Sequence, residues 1–193
     1  AVVKAGLDPR LVGKDSNRSS DVTWTSIPGR STAPRAKFLA ERRGSGCVIG
    51  GTAWTFANPG LVAPGGLDLI VIDEAGQFSL APTLAVSVAA QRLLLLGDPQ
   101  QLPQVSQATH AEPVDESALG WLMAGHDTLP VEFGYFLAES YRMHPALCEK
   151  VSALSYEGRL GSAEVAGRRD LDGVEPGLEV VMLDHTGNRT ESE

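Results

Sequence analysis

This 193-residue chain predicts an α/β fold with a mainly parallel sheet, and three observations carry that prediction. Three short apolar runs, Cys47-Val48-Ile49, Leu69-Ile70-Val71-Ile72 and Leu93-Leu94-Leu95-Leu96, show no polar alternation. That is the pattern of strands covered on both faces. Each run ends in small or polar residues, and between the second and third Leu80, Leu84 and Val88 recur at helical spacing. Strand, helix and strand in that order form the crossover unit of a parallel sheet.

The elements follow in order. Residues 15–33 (DSNRSSDVTWTSIPGRSTA) are rich in Ser, Thr, Pro and Gly and read as a long loop or a disordered insertion. Pro34 suits the first turn of a short helix reaching about Arg43, with Ser31 or Thr32 as cap. Ser79 caps the helix that carries Leu80, Leu84 and Val88, and Pro82 sits in its first turn. After Gln104 a polar stretch leads to a helix near 116–124, then a strand over Phe136–Tyr141. Pro145 opens a helix with Leu147, Val151 and Leu154 on one face, and Cys148 packs beside that face. The acidic, Gly-rich tail holds one further candidate strand, Leu178–Leu183.

Composition bounds the function. With 42% hydrophobic and 21% charged residues, the chain can build a core, which excludes wholesale disorder. No apolar run approaches the ~20 residues of a membrane span. Two cysteines, Cys47 and Cys148, make neither a disulfide framework nor a four-thiolate zinc site, so a reduced, cytoplasmic protein is expected. The net charge of −8 hides an asymmetry: residues 1–43 carry nine Lys/Arg and four Asp/Glu, net +5, and the remainder nets −13. The basic part is either a solvated face or a surface that meets phosphates.

Three polar clusters follow apolar runs. Asp73 and Glu74 stand at the end of the second run, where a parallel sheet presents ligand-binding groups. The first carboxylate can hold Mg²⁺ through water and the second can orient and deprotonate an attacking water. The alternative is a solvated or helix-capping pair. Gly97-Asp98-Pro99-Gln100-Gln101-Leu102-Pro103 ends the third run, where Gln101 can report a terminal phosphate or simply face water. In Glu139-Ser140-Tyr141-Arg142-Met143-His144-Pro145, Arg142 is a surface ion-pair partner or the cation that neutralises a γ-phosphate. His144 reads as a helix cap or supporting group rather than a base.

IDEAGQ, GDPQQLP and SYRMHPALCEKVSALSYEGRL, in that order, resemble motifs II, III and IV of superfamily 1 helicases. The resemblance covers about residues 46–160 and is strongest to the Upf1/DNA2-like branch, including bacterial members fused to a RecB-like nuclease. It implies two RecA-like domains of the P-loop NTPase type, with ATP bound between them and ATP hydrolysis driving movement along single-stranded DNA or RNA. Residues 1–140 would then be the C-terminal part of the first domain, and 141–193 the start of the second.

By this resemblance Asp73 is the Walker B ligand of Mg²⁺ and Glu74 the catalytic base. Gln77 links the nucleotide site to the strand-binding surface, Asp98 and Gln101 bind nucleotide, and Arg142 is the arginine finger. Gly50-Gly51-Thr52-Ala53-Trp54-Thr55 resembles, more loosely, a segment whose threonines, Thr52 and Thr55, touch the nucleic-acid backbone. Trp54 is expected in the core, with stacking on a base as the alternative.

The phosphate loop G-x-x-x-x-G-K-[ST] has no match. At Gly13-Lys14, Asp8 and Asp15 stand where Gly and Ser/Thr are required. The expected reading is therefore a fragment of a longer helicase, with residues 1–14 resembling a helix and with open strand edges. Such a fragment would be inactive alone and partnered by the rest of its parent. The competing readings are a P-loop ATPase that does not translocate and a non-enzymatic nucleic-acid-binding or scaffold module.

Overall fold

The computed structural model describes residues 3–15, 24–27, 32–42, 44–102, 110–169, 173 and 175–177. The chain divides into two compact units, Ala1–Ala124 and Gly125–Glu193. The architecture is mixed α/β, and every ladder between described strands is parallel, consistent with a partial RecA-like domain.

In the first unit a 3₁₀ turn, Pro9–Leu11, leads into strand β1 (Val12–Asp15), where a helix was expected. β1 lies between β2 (Thr25–Ile27) and β3 (Val48–Gly50). β2 corrects the reading of 15–33 as loop throughout. A three-residue strand carries too little pattern to stand out, and its partner is supplied by tertiary register, Gly13 opposite Thr25. Helix α1 (Thr32–Glu41) covers this sheet and has Pro34 in its first turn, as expected. Ser31, its other candidate cap, lies outside the described residues. Gly13 makes the covering possible. A Cβ there would stand 2.6 Å from Ile27 Cδ1 and 3.0 Å from the Phe38 ring, both of which are buried.

Strand β4 (Ile70–Ile72) pairs in parallel with β5 (Leu93–Leu95), Ile70 opposite Leu93 through Ile72 opposite Leu95. Their cover is one-sided. Ile70 and Ile72 are buried, but Val71, Leu93 and Leu94 are exposed, so the expectation of cover on both faces is not met among the described residues. Helices α2 (Ala53–Ala57) and α3 (Leu80–Ser87) pack on one another. α3 buries Thr83 and Val86, while Leu84 and Val88 of the expected apolar face are exposed. Apolar residues encircle this helix, so hydrophobicity alone does not mark its inner side. Ser79 holds the N-cap position without a side-chain cap bond; its carbonyl instead accepts from the Thr83 hydroxyl at 2.9 Å. Helix α4 (Ala118–Met123) is capped by Ser117, whose Oγ accepts from the Gly120 N–H at 2.9 Å.

In the second unit the strand expected over 136–141 narrows to β6 (Glu139–Ser140), paired with β7 (Gly161–Ser162). Helix α5 (Pro145–Ser155) begins where Pro145 predicts, but its buried residues are Cys148 and Ser152, and Leu154 is exposed. The returning chain selects that face. Leu160 N–H donates to Ser152 Oγ at 2.9 Å, and the Gly158 N–H donates to the Ser152 carbonyl at 3.0 Å. Burial raises the pKa of the Cys148 thiol, in keeping with its packing role. The Leu178–Leu183 candidate strand lies outside the described residues. Among the described residues no helix is long and apolar enough to cross a membrane.

Candidate functional site

Two carboxyl strand ends of the first unit gather most of the residues singled out by sequence. At the first, β4 runs out at Ile72 and the chain turns through Asp73 and Glu74. Glu74 adopts φ 57°, the left-handed region that costs a non-glycine residue roughly 1–2 kcal/mol. Its N–H donates to Asp73 Oδ1 at 3.1 Å. The turn lets the Ala75 N–H donate to the Leu96 carbonyl at 2.8 Å, which locks it onto the end of β5.

Two glycines make that approach possible. A Cβ on Gly76 would stand 2.0 Å from the Asp98 carbonyl oxygen, and one on Gly97 would stand 2.7 Å from the Ala75 nitrogen. Across this backbone contact Gln77 Nε2 donates to Gln101 Oε1 at 3.2 Å. Gln101 Nε2 in turn donates to Asp98 Oδ2 at 3.3 Å, and Asp98 Oδ1 accepts from the Gln100 N–H at 3.0 Å. Asp73, Glu74, Gln77, Asp98 and Gln101 thus share one edge, and all but the half-buried Asp98 are exposed.

Among the described residues neither Asp73 nor Glu74 sits in an ion pair. No three His, Cys, Asp or Glu side chains cluster tightly enough there for a metal cage. That donor set suits a magnesium ion held by one or two carboxylates, with waters and phosphate oxygens completing its shell, and does not suit a structural zinc or calcium.

The second edge lies at the ends of β1 and β3. Lys14 and Asp15 belong to β1, so Gly13-Lys14 forms part of a strand and not a phosphate loop. Thr52 is the exposed N-cap residue of α2, and its Oγ1 lies 3.4 Å from that of Thr55. Thr55 is only 4% exposed and donates its hydroxyl to Asp15 Oδ2 at 2.5 Å. The same oxygen lies 3.4 Å from Arg35 Nη2. Arg35 is 2% exposed, and among the described residues its Nη1 has no hydrogen-bond partner. Only Thr52 of the two threonines therefore faces outward.

Trp54 overturns the core expectation: it is 87% exposed. Sequence reasoning also missed the Arg35–Asp15–Thr55 chain, for which the only signal was a charged pair in a segment read as loop and helix. A cleft of about 1020 Å³ between β3 and β4 is lined by residues of both edges, including Gly50, Gly51 and Asp73.

In the second unit the segment after β6 has a fixed backbone. The N–H groups of Arg142 and Met143 donate to Ser140 Oγ at 3.3 and 3.2 Å, and Ser162 Oγ donates to the Met143 carbonyl at 2.7 Å. His144 is the N-cap of α5, its Nδ1 accepting from the Ala146 N–H at 3.2 Å, as the capping reading expects. The Arg142 side chain is exposed and joins no ion pair among the described residues. A hydrogen bond to Glu139 raises the pKa of the neighbouring Tyr141.

No family model matches the chain. Several of its curated relatives are helicases by name, and one is the DNA-binding protein SMUBP-2 of Rattus norvegicus, 31% identical over 129 residues, across 62% of this chain and 13% of that protein. The chain is 36% identical over 103 residues to the DNA replication ATP-dependent helicase/nuclease JHS1 of Arabidopsis thaliana, across 51% of this chain and 7% of that protein. It is 34% identical over 99 residues to the 5'-3' DNA helicase ZGRF1 of Mus musculus, across 48% of this chain and 5% of the relative. It is 27% identical over 128 residues to the helicase SEN1 of Saccharomyces cerevisiae, covering 64% of this chain and 6% of the relative. The chain thus spans a small part of the length of the curated relatives it matches.

Proposed function

We propose that this chain is part of a superfamily 1 helicase motor of the Upf1/DNA2-like type, a cytoplasmic ATP-dependent translocase on single-stranded DNA or RNA. One observation carries the reading: the Gln77–Gln101 hydrogen bond across the Gly76–Gly97 contact, which joins two separated stretches at one strand edge. Residues 1–140 supply part of the first RecA-like domain and 141–193 the beginning of the second. The remaining parts of the motor, with or without a fused nuclease, complete the working enzyme.

Asp73 would hold Mg²⁺, largely through water, and a bound ion supplies charge neutralisation at the phosphates. Glu74 orients the attacking water and takes its proton. Gln101, oriented by Asp98 and Gln77, senses the terminal phosphate of ATP. Arg142 stabilises charge developing on that phosphate. Thr52 touches the nucleic-acid backbone, with Thr55 holding it from beneath.

The sequence contains no phosphate loop, and no described residue replaces its backbone N–H groups and lysine. The 193-residue chain alone is therefore expected to show only background ATPase activity. In the full-length parent, ATP hydrolysis should rise on adding single-stranded nucleic acid; a rate indifferent to it would favour a non-translocating ATPase. Arg142→Ala in that parent should lower kcat by about 10³-fold with little change in ATP affinity. Equal losses in both would make Arg142 a ground-state contact.

A further inference from the structure

We propose that Trp54 is a stacking platform for an unpaired base of a single-stranded nucleic acid, an inference that rests on the strand-contact reading of Thr52. Of the three tryptophans, Trp24 is half-buried and Trp121 is 49% exposed, while Trp54 stands out at 87%. An indole is among the side chains that gain most from burial, so leaving it in water calls for a cause.

The fold supplies that cause. Thr55, the next residue of α2 and about 100° further round the helix, is 4% exposed and is tied through its hydroxyl to Asp15 Oδ2 at 2.5 Å. Asp15 is held by the buried Arg35. Rotating α2 to bury Trp54 would lift Thr55 out of this brace and take its hydroxyl away from the Asp15 oxygen that Arg35 also engages. The indole is therefore held outward on a rigid support.

The surroundings select the occupant. β1 and β3 pair with Lys14 opposite Gly50, and a Cβ on Gly50 would stand 3.8 Å from Lys14 Cγ, so an exposed lysine lies beside the residue that leads into the Trp54 turn. Lys14 Nζ also lies 5.6 Å from the Trp24 ring centroid. Residues 1–43 net +5 in a chain that nets −8. A cation for phosphates on the strand paired with the one that leads into α2, together with a bare indole on α2, is the combination that binds single strands without reading their sequence, because every base has a π-face.

The test uses the 193-residue chain with Trp24→Phe and Trp121→Phe, so that fluorescence reports Trp54 alone. It is titrated with a short oligothymidine and with an abasic oligonucleotide of equal length at one salt concentration. Quenching by oligothymidine and none by the abasic strand is the expected result. In the otherwise native chain, Trp54→Ala should weaken oligothymidine binding about ten-fold or more, with the melting temperature and the salt dependence of binding unchanged, and Trp54→Phe should recover part of the loss. Equal quenching by both oligonucleotides overturns the proposal. So does Trp54→Ala binding within about two-fold of the native chain, an outcome that leaves the nucleic-acid reading intact. No binding of any strand overturns both.

Discussion

Two carboxylates in the first unit occupy equivalent places in the topology and meet opposite fates. Asp73 follows β4 and Asp15 ends β1, each at the carboxyl end of a parallel pair. Asp15 meets Arg35 and Thr55, so its Oδ2 is engaged within the protein. Asp73 and Glu74 stand in solvent, without a cation among the described residues, on a turn strained at Glu74 and pressed onto β5 through two glycines. Strand-end position therefore does not by itself define a chemical site. The difference lies in whether the fold provides the countercharge or leaves it to be supplied from outside.

The largest effect expected from this contrast separates activity from stability. In the full-length parent, Glu74→Gln should lower ATP hydrolysis by at least about 100-fold while ATP still binds, because it removes the base and keeps the shape. The melting temperature should hold, since an exposed side chain that joins no ion pair among the described residues contributes within about 0.5 kcal/mol. Near-normal turnover in this variant would remove Glu74 from the base role and erase the contrast.

Asp15→Ala should do the reverse. It leaves Arg35 buried without its carboxylate, a change that costs about 3–5 kcal/mol. For a chain of this size that corresponds to a fall of at least about 6 °C in melting temperature. Thermal melts of the 193-residue chain read this directly; an unchanged midpoint would mean that the pair is not a brace.

The contrast also marks what could be read from residues alone. The Asp73–Gln77 and Asp98–Gln101 stretches were legible because each follows its own apolar run, so strand, turn and polar cluster lie within a dozen residues. Helix α5 and its His144 cap were legible for the same local reason. β1, β2 and the Arg35–Asp15–Thr55 brace were not. Their strands are three or four residues long, and what stabilises them is register between segments far apart in sequence. The inner faces of α3 and α5 were misjudged where leucines mark one side but backbone returns and close helix contacts favour Thr83 or Ser152. Trp54 was misjudged because hydrophobicity predicts burial for a residue that the Thr55 anchor turns outward.

Thr55→Val carries the smallest of these effects and the finest distinction. Valine keeps the shape and burial of Thr55 but removes the hydroxyl that Asp15 Oδ2 accepts at 2.5 Å, leaving that oxygen to Arg35. Loss of a hydrogen bond to a charged group costs about 1.5–3 kcal/mol, less than removing the carboxylate itself. Combined with Asp15→Ala, it should therefore add almost nothing, because the partner of the hydroxyl is already gone. A double variant that melts at the sum of the two losses would show that Thr55 and Asp15 act separately. The buried edge would then be two independent contacts, and Trp54 would lose its rigid support.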